Sequence, residues 1–149
     1  MKFTAKSFSE LTTTELYEIL KSRSEIFMLE QKIYCQDMDD VDYNCRHCFL
    51  EENGRVVAYL RAFYNNDKSD TVRMGRVLSL AHGKGLGTIL MNKSIEDIRL
   101  NFGCKRISLH SQKGAIGFYE KFGFKVTSEE FLEEGVIHVT MELDMGIKF

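Results

Sequence analysis

Three alternate glycines, Gly83, Gly85 and Gly87, follow a segment that alternates like a strand and lead into a segment with helical periodicity. The strand is predicted over residues 72–79 and the helix over residues 86–102. Glycines let a ligand approach the backbone closely, and the first-turn amides of a helix have no partners within the helix. This arrangement favours the binding of an anion, and phosphate or pyrophosphate is the natural ligand.

The glycine cluster matches neither of two common phosphate-binding motifs. A dinucleotide-binding fingerprint would need a further glycine at Thr88 and an acidic residue about 20 positions on, and a P-loop would end in Gly-Lys-Ser/Thr. By itself, such a cluster is equally consistent with a plain tight turn. Other motifs of the chain must therefore decide between these interpretations.

Cys45 and Cys48 have the spacing of a zinc-binding or redox pair. A structural zinc site needs four ligands, and Cys35 and Cys104 are the other two cysteines. Residues three apart on a strand also point to opposite faces, which opposes chelation. We therefore expect no metal site and interpret the cysteines as small apolar residues or free thiols. Unevenly spread cysteines are typical of a reducing compartment, so a cytoplasmic location is predicted.

The length and charge of the chain limit its class. Its 149 residues predict a single domain over residues 1–149 with a substantial core. The net charge of −2, without a basic run, gives no electrostatic footprint for nucleic acid or an anionic membrane. There is no apolar N-terminal signal segment and no run of about 18 apolar residues. We therefore expect neither nucleic acid nor membrane as a partner.

The remaining segments predict the elements that position these residues. A strand is expected over residues 2–8, a helix from the Thr12–Glu15 capping box to about Glu30, and an irregular acidic loop over 31–44. Hairpins are expected over 47–64, around Asn53-Gly54, and over 124–143; a turn is expected over 65–70, a strand over 106–110 and a helix over 115–122. The acidic loop either attracts a cationic amine or, as we favour, is a solvated face.

These elements predict an α/β (α+β) fold. The 86–102 helix is a crossover, so the strands before and after it are parallel neighbours, whereas the other strands can pair antiparallel. The expected result is a central mixed, largely antiparallel sheet with helices on both faces.

This order of elements resembles that of the GNAT superfamily of N-acetyltransferases, in which an Arg/Gln-x-x-Gly-x-Gly/Ala loop binds the pyrophosphate of acetyl-CoA. The corresponding loop here is HGKGLG at residues 82–87, with His82 where the family has Arg or Gln. A second family motif, FYEKFGF, occupies residues 118–124. The chain is also similar to the ElaA-type branch, through RSEIFMLEQ at 23–31, QDMD at 36–39, His47, Gln112 and EEGVIH at 133–138.

The resemblance implies the GNAT fold, with a splayed pair of parallel central strands, and transfer of an acetyl group from the cosubstrate acetyl-CoA to a primary amine of a small molecule. A non-catalytic acyl-CoA-binding sensor or interaction module is the alternative, and a homodimer is compatible with the family. In the family, the backbone of the strand before the glycine loop binds the pantetheine arm like an added strand. The residues expected to contact the coenzyme are Val77, Leu78, Ser79, His82, Gly83, Lys84, Gly85, Leu86, Gly87, Thr88, Gln112, Phe118 and Tyr119.

Tyr119 is the candidate general acid, since a phenol with a pKa near 10 is protonated at neutral pH and can donate to a leaving thiolate. The alternative is that Tyr119 is simply a core aromatic residue. The candidates for the general base, or for substrate contacts, are Glu30, His47 and His138, each in a branch motif, and a water molecule is the further option.

Overall fold

A mixed eight-stranded sheet forms the centre of the protein, which a computed structural model describes over residues 1–65 and 70–146. The order of the strands across the sheet is β1-β2-β3-β4-β5-β8-β6, and β7 also pairs with β8. The strands are β1 (Lys2–Ser7), β2 (Arg46–Glu52), β3 (Arg55–Tyr64), β4 (Thr71–Ser79), β5 (Arg106–Gln112), β6 (Lys125–Val126), β7 (Phe131–Glu133) and β8 (Val136–Asp144).

The parallel pair predicted from the crossover is confirmed. Strands β4 and β5 pair in parallel from Thr71 opposite Arg106 to Met74 opposite Leu109, whereas the other pairs in the described chain are antiparallel. No pair follows Met74 and Leu109 in the described register, although both strands continue. The two central strands therefore part beyond this point, and the opening between them is available to a ligand.

The helices occupy both faces of the sheet, as expected. Helix α1 (Thr13–Arg23) continues as a π-helix (Ser24–Glu30), α2 spans Leu86–Asn101, and α3 is the short Ile116–Glu120. Short 3₁₀ segments are Phe8–Glu10, Val41–Asn44 and Lys113–Ala115. The predicted capping box starts α1, since Thr12 Oγ1 accepts from the Glu15 amide at 3.0 Å and Glu15 Oε1 accepts from the Thr12 amide at 2.8 Å.

Two apolar clusters attach the helices to the sheet. Helix α2 packs Leu90, Met91 and Ile98 into the larger cluster, and α1 with its π-helical extension packs Ile19 and Ile26 into the smaller one on the opposite face. The larger cluster also holds α3, so the elements on both sides of the β4–β5 opening are anchored by buried side chains. No helix in residues 1–65 and 70–146 combines the length and hydropathy needed to cross a membrane.

Some local predictions need correction. The turn at Asn53 and Gly54 has positive φ at both residues, 53° and 78°, which confirms the predicted tight hairpin. By contrast, the strand expected over 124–132 is interrupted between β6 and β7. There Ser128 Oγ accepts from the Thr140 amide at 2.8 Å, so a side chain replaces the ladder partner. Part of the turn predicted at 65–70 lies outside the described residues.

Candidate functional site

The glycine loop forms a cradle without side chains. Gly83 and Gly85 have φ values of 79° and 75°, and no atom lies within 4 Å of the position that a Cβ would take at either residue. At Gly87, a Cβ would lie 3.2 Å from Phe118 Cζ. The glycines therefore serve different purposes, because the first two adopt a left-handed backbone and the third lets α3 approach α2 closely.

The N-terminus of α2 is open to an anion. Its N-cap residue, Gly85, has no side chain to accept from the first-turn amides, and that turn holds no acidic residue. The amides and the positive end of the helix dipole therefore face a cleft of about 460 Å³, which we call the glycine-loop cleft. Of the residues predicted at the coenzyme, those lining it are Val77, Leu78, Ser79, His82, Gly83, Gly85, Leu86, Gly87, Thr88, Phe118 and Tyr119.

Two of the predicted coenzyme residues lie outside the glycine-loop cleft. Lys84 is exposed and does not line it. Gln112, at the end of β5, lines a second cavity instead, and its Nε2 donates to Gln31 Oε1 at 3.0 Å. Strand β5 ends at Gln112 rather than at His110, so this side chain lies on the wall of the second cavity, and its contact with the coenzyme stays a prediction.

Glu30 and His82 meet at the mouth of the glycine-loop cleft. His82 Nε2 lies 2.7 Å from Glu30 Oε1, and their side chains are 67% and 49% exposed. The π-helix ends at Glu30 and thereby brings this carboxylate from α1 to the glycine loop. Glu30 was expected at the acceptor end, but its described partner is on the glycine loop.

A larger cavity of about 610 Å³ lies on the other side of the β4–β5 opening. Its walls come from the loop after the π-helix, from β3, β4 and β5, and from the β7–β8 hairpin. Gln31, Val77 and Tyr119 line both this larger cavity and the glycine-loop cleft. A ligand in either space would therefore approach the other where the parallel strands separate.

Tyr119 stands at this junction. It is 8% exposed, and its hydroxyl has no hydrogen-bond partner among the described residues. Burial raises its pKa to about 12, so the phenol is protonated at neutral pH. Phe118 and Phe124 pack edge-on against the ring, and Tyr119 is thus both a core aromatic residue and a residue that lines both cavities.

A β-bulge in β4 faces the same opening. Between Gly75 and Leu78, β4 holds one residue more than the facing segment of β3. Arg76 lies in this bulge and has a left-handed φ of 52°, which is unfavourable for a non-glycine residue. The bulge redirects the backbone where β4 borders both cavities.

Arginines pair with the acidic loop, so its interpretation as a solvated face is wrong. Arg61 Nη2 donates to Asp39 Oδ2 at 2.6 Å and its Nη1 donates to Asp42 Oδ1 at 2.9 Å. Arg23 Nη1 also donates to Asp42 Oδ1, at 2.7 Å, and its Nε donates to Asp37 Oδ2 at 2.9 Å. Both guanidinium groups are almost completely buried, and the carboxylates neutralise them.

These pairs set the ionisation of the loop. The Arg61 hydrogen bonds lower the pKa of Asp39 to about 2. Burial acts to raise the pKa of Asp42, but the hydrogen bonds and charges of Arg23 and Arg61 outweigh it, and the pKa is lowered. The loop therefore forms part of the wall of the larger cavity, and its carboxylates there are held in ion pairs.

His47 lies in the protein interior and not at the acceptor end, which corrects its candidacy as a base. It is 1% exposed and lines neither cavity. Its Nδ1 lies 2.7 Å from the Tyr59 hydroxyl and its Nε2 lies 2.9 Å from the Asp42 carbonyl oxygen. Both ring nitrogens are thus occupied, and burial lowers the pKa of the imidazole. The alternating pattern of β2 does not reveal that Tyr59 and Asp42 contact the His47 ring.

His138 does line the larger cavity, where it accompanies Glu133 of the same motif and two residues that the sequence did not single out, His110 and Arg73. Its Nδ1 donates to the Val136 carbonyl oxygen at 2.8 Å, and its Nε2 lies 3.6 Å from Glu133 Oε2. The other oxygen of Glu133 lies 2.9 Å from His110 Nδ1, which Arg73 also contacts. The two-residue period of β5 places His110 on the same face as Gln112, which is the signal that would have found it.

All four cysteines are free thiols. Cys45 and Cys48 are buried, and desolvation raises the pKa of each to about 12. Cys45 Sγ donates to the Val41 carbonyl oxygen at 3.2 Å. The described parts of the chain contain no cluster of three or more potential metal-ligating side chains.

Comparison with known proteins agrees with this architecture. The model of a family described as an acetyltransferase (GNAT) domain matches residues 14–145. A UPF0039 protein of Schizosaccharomyces pombe is 36% identical over 149 residues, covering 97% of this chain and 98% of that protein. The ElaA protein of Escherichia coli is 33% identical over 137 residues, covering 89% and 90%.

Solved structures agree as well. The crystal structure of E. coli ElaA superposes with a TM-score of 0.89 at 31% identity, over 96% of this chain and 99% of that chain. An acyl-CoA N-acyltransferase from Pseudomonas aeruginosa gives a TM-score of 0.89 at 30% identity, with the same coverage. The chain belongs to the GNAT acetyltransferase family, it has the GNAT fold, and ElaA is among its homologues.

Proposed function

We propose that this protein is an N-acetyltransferase that moves an acetyl group from acetyl-CoA to a primary amine of a small molecule by direct attack on the thioester. The observation that carries the proposal is the meeting of two cavities at Val77, Gln31 and Tyr119. One cavity has the open amides of a helix N-terminus and the other has polar and charged walls. A two-substrate transfer needs such a pair of connected spaces.

The glycine-loop cleft fits the coenzyme. The first-turn amides of α2 and the backbone at Gly83 and Gly85 bind the pyrophosphate, since they supply hydrogen-bond donors without intervening side chains. Val77, Leu78 and Ser79 line the same cleft and offer the backbone of β4 to the pantetheine arm. The bound coenzyme supplies the activated acetyl group.

The chemistry takes place at the junction. Backbone amides of the β4 bulge, at Arg76 and Val77, stabilise negative charge that develops on the carbonyl oxygen. Tyr119 protonates the leaving thiolate, because its raised pKa keeps the hydroxyl protonated until charge develops beside it. The acceptor amine approaches from the larger cavity, whose volume of about 610 Å³ suits a small molecule.

Glu30 and His138 were candidates for the general base or for substrate contacts. We assign them here as contacts and not as catalytic residues. Glu30 pairs with His82 and so acts at the mouth of the glycine-loop cleft. His138 lines the acceptor side, where its Nε2 faces Glu133.

The free cysteines support a cytoplasmic location. A homodimer is compatible with this proposal and is tested by measuring the molar mass in solution.

The test combines coenzyme binding with turnover. Calorimetry with acetyl-CoA and with free CoA measures binding, and release of free thiol is then followed with a panel of small primary amines. Saturable binding together with amine-dependent thiol release supports the enzyme. Binding without release for every amine favours the acyl-CoA-binding sensor, and absence of binding at millimolar acetyl-CoA contradicts both functions.

A matched pair of variants locates the binding site. Gly83→Val forces a β-branched side chain onto a φ of 79° in the cradle, and we expect acetyl-CoA affinity to fall at least about tenfold. Gly135→Val carries the same substitution at a φ of 74° in the β7–β8 turn, outside the glycine-loop cleft. Equal loss of affinity in both variants would contradict the assigned cleft.

A further inference from the structure

His110 occupies a distinctive position in the sheet. Met74 and Leu109 form the last parallel pair of β4 and β5, so His110 is the first residue of β5 beyond the point where the strands part. The corresponding next residue of β4 is Gly75, which begins the bulge. The side chain of His110 lines the larger cavity and is 26% exposed. An imidazole thus lies on the wall of the larger cavity, one residue beyond the last parallel pair of β4 and β5.

Two strands, β4 and β7, supply the groups that contact this imidazole, and β8 supplies a group that faces its carboxylate partner. Glu133 on β7 places Oε1 2.9 Å from His110 Nδ1, and Arg73 on β4 places Nη2 2.8 Å from the same nitrogen. Phe131, also on β7, packs its ring against the imidazole at 5.1 Å between centroids. On β8, His138 faces the other oxygen of Glu133 at 3.6 Å. No other titratable or charged group is in hydrogen-bonding or ion-pair contact with His110 in the described chain.

The two polar partners of Nδ1 require opposite protonation states of that nitrogen. If Nδ1 carries the proton, it donates to the Glu133 carboxylate, and if it does not, it accepts from Arg73. An unprotonated Nδ1 would direct its lone pair at a charged oxygen 2.9 Å away. A protonated Nδ1 instead makes a charge-assisted hydrogen bond, while Arg73 lies 3.8 Å from the same carboxylate oxygen and can share it.

Glu133 is equipped to hold that proton on Nδ1. Its hydrogen bond with His110 lowers the pKa of the Glu133 carboxyl, and the charges of His138 and Arg73 act in the same direction. It therefore remains a carboxylate at neutral pH and accepts only. Nε2 of His110 is then left as the unprotonated nitrogen, and no described residue forms a hydrogen bond with it.

We propose that His110 is the general base of the reaction and that Glu133 positions it. This inference rests on the proposed acetyl transfer. Nε2 takes a proton from the acceptor ammonium, and the freed nitrogen lone pair forms the new N–C bond. The C–S bond breaks with its electron pair going to sulfur, which takes the Tyr119 proton. The substrate nitrogen then loses a second proton, which reaches the Tyr119 phenolate through solvent. The His110 imidazolium returns its proton to solvent.

The Glu133 carboxylate supports the imidazole during the reaction. An imidazolium forms during the step, and Glu133 stabilises it while fixing the ring orientation, as a carboxylate does in hydrolase triads. His110 is therefore a catalytic residue, and Glu133 is a positioning residue that acts through it. Arg73 opposes the positive charge on the ring and so favours return of the proton after each turnover.

The test measures kcat and kcat/KM against pH for the wild type and three variants. We expect His110→Asn to lower kcat roughly 100- to 1000-fold at neutral pH, with acetyl-CoA affinity unchanged. The deficit should shrink as pH approaches the pKa of a free primary amine, near 10, since the acceptor then deprotonates without help. Glu133→Gln should lower kcat about 10- to 100-fold and Glu133→Asp should restore part of it.

The control is Glu129→Gln, an exposed carboxylate outside both cavities, which should leave kcat unchanged. Full activity of His110→Asn, or an equal loss of activity at every pH, overturns the general-base role of His110. Neither result contradicts the proposed acetyl transfer. Absence of turnover in the wild type with every amine refutes the transferase and the base together. Nitrogen NMR of the His110 ring is a readout independent of turnover, and a neutral ring protonated on Nε2 overturns the proposal.

Discussion

Asp37 Oδ1 accepts a hydrogen bond from Arg76 Nε at 2.8 Å, and this pair joins the acidic loop to the bulge of β4. Asp37 also accepts from Arg23 Nε through Oδ2, and its carbonyl oxygen accepts from both arginines. Arg76 adopts a left-handed backbone that costs about 1 kcal/mol or more for a non-glycine residue. The loop therefore helps to hold the strained residue of the β4 bulge, which lines the larger cavity.

Asp37→Asn should destabilise the protein. The amide group of Asn can accept from one guanidinium but presents N–H donors to the other, and the Arg23 side chain is completely buried. We expect the free energy of unfolding to fall by about 2–4 kcal/mol, measured by urea denaturation. Asp40→Asn is the control, since Asp40 is exposed and its φ of 67° suits Asn. Equal stability of both variants would contradict the role of Asp37.

Asp39 should make stability depend on pH in the acid range. Its folded-state pKa of about 2 lies below the ordinary value of 3.8 because of Arg61, so its contribution is complete above about pH 4. The contribution is lost as pH falls from 3.8 towards 2. The side chain is 31% exposed, so screening leaves about 1 kcal/mol of the linkage energy.

The measurement for Asp39 is a series of urea denaturations from neutral pH to about pH 2. The difference in unfolding free energy between the wild type and Asp39→Asn should be largest at neutral pH. It should shrink as the Asp39 carboxyl becomes protonated in both the unfolded and the folded states. A difference that stays constant through the acid range would show that the Asp39–Arg61 pair contributes no proton-linked stability.

Tyr119→Phe should separate catalysis from binding. The variant keeps the ring that packs among the phenylalanines and removes only the hydroxyl at the junction of the cavities. We expect kcat to fall roughly 10- to 1000-fold with little change in acetyl-CoA affinity. Tyr17→Phe, on an exposed tyrosine of α1, is the matched control. Unchanged turnover in Tyr119→Phe would remove the general-acid role.

Gly87→Ala should weaken coenzyme binding through Phe118. The new methyl group would lie 3.2 Å from Phe118 Cζ, so the ring or the first turn of α2 must move by a few tenths of an ångström. We expect acetyl-CoA affinity to fall about 3- to 10-fold, measured by calorimetry, since both elements line the glycine-loop cleft. Gly103→Ala meets open space and should bind normally. Normal binding by Gly87→Ala would show that Phe118 can move away from the new methyl group without changing the cleft.

The local sequence predicted most of the scaffold. The Thr12 capping box, the Asn53-Gly54 turn and the crossover through α2 each depend on residues close together in the chain, and the structure confirms all three. The glycine loop belongs to the same category, because the φ values of its glycines and the open helix terminus are properties of one short segment.

The errors concern pairs that are distant in sequence. The acidic loop was interpreted as solvated because the arginines that neutralise it lie on α1, β3 and β4. His47 was a candidate because it matches a branch motif, whereas the folded chain buries it against Tyr59 of the next strand. Each outcome depends on which face of the sheet a side chain reaches and on what packs against that face.

The sequence by itself determined the family, the order of the elements and the loop that suits a pyrophosphate. Only the tertiary structure decided which charged side chains meet: Arg76 with Asp37, and His110 with Glu133, which are 39 and 23 residues apart. The physical reason is the range of the interactions. Caps, turns and helix termini are satisfied within a few residues, whereas buried ion pairs and a positioned imidazole form only after the sheet has assembled.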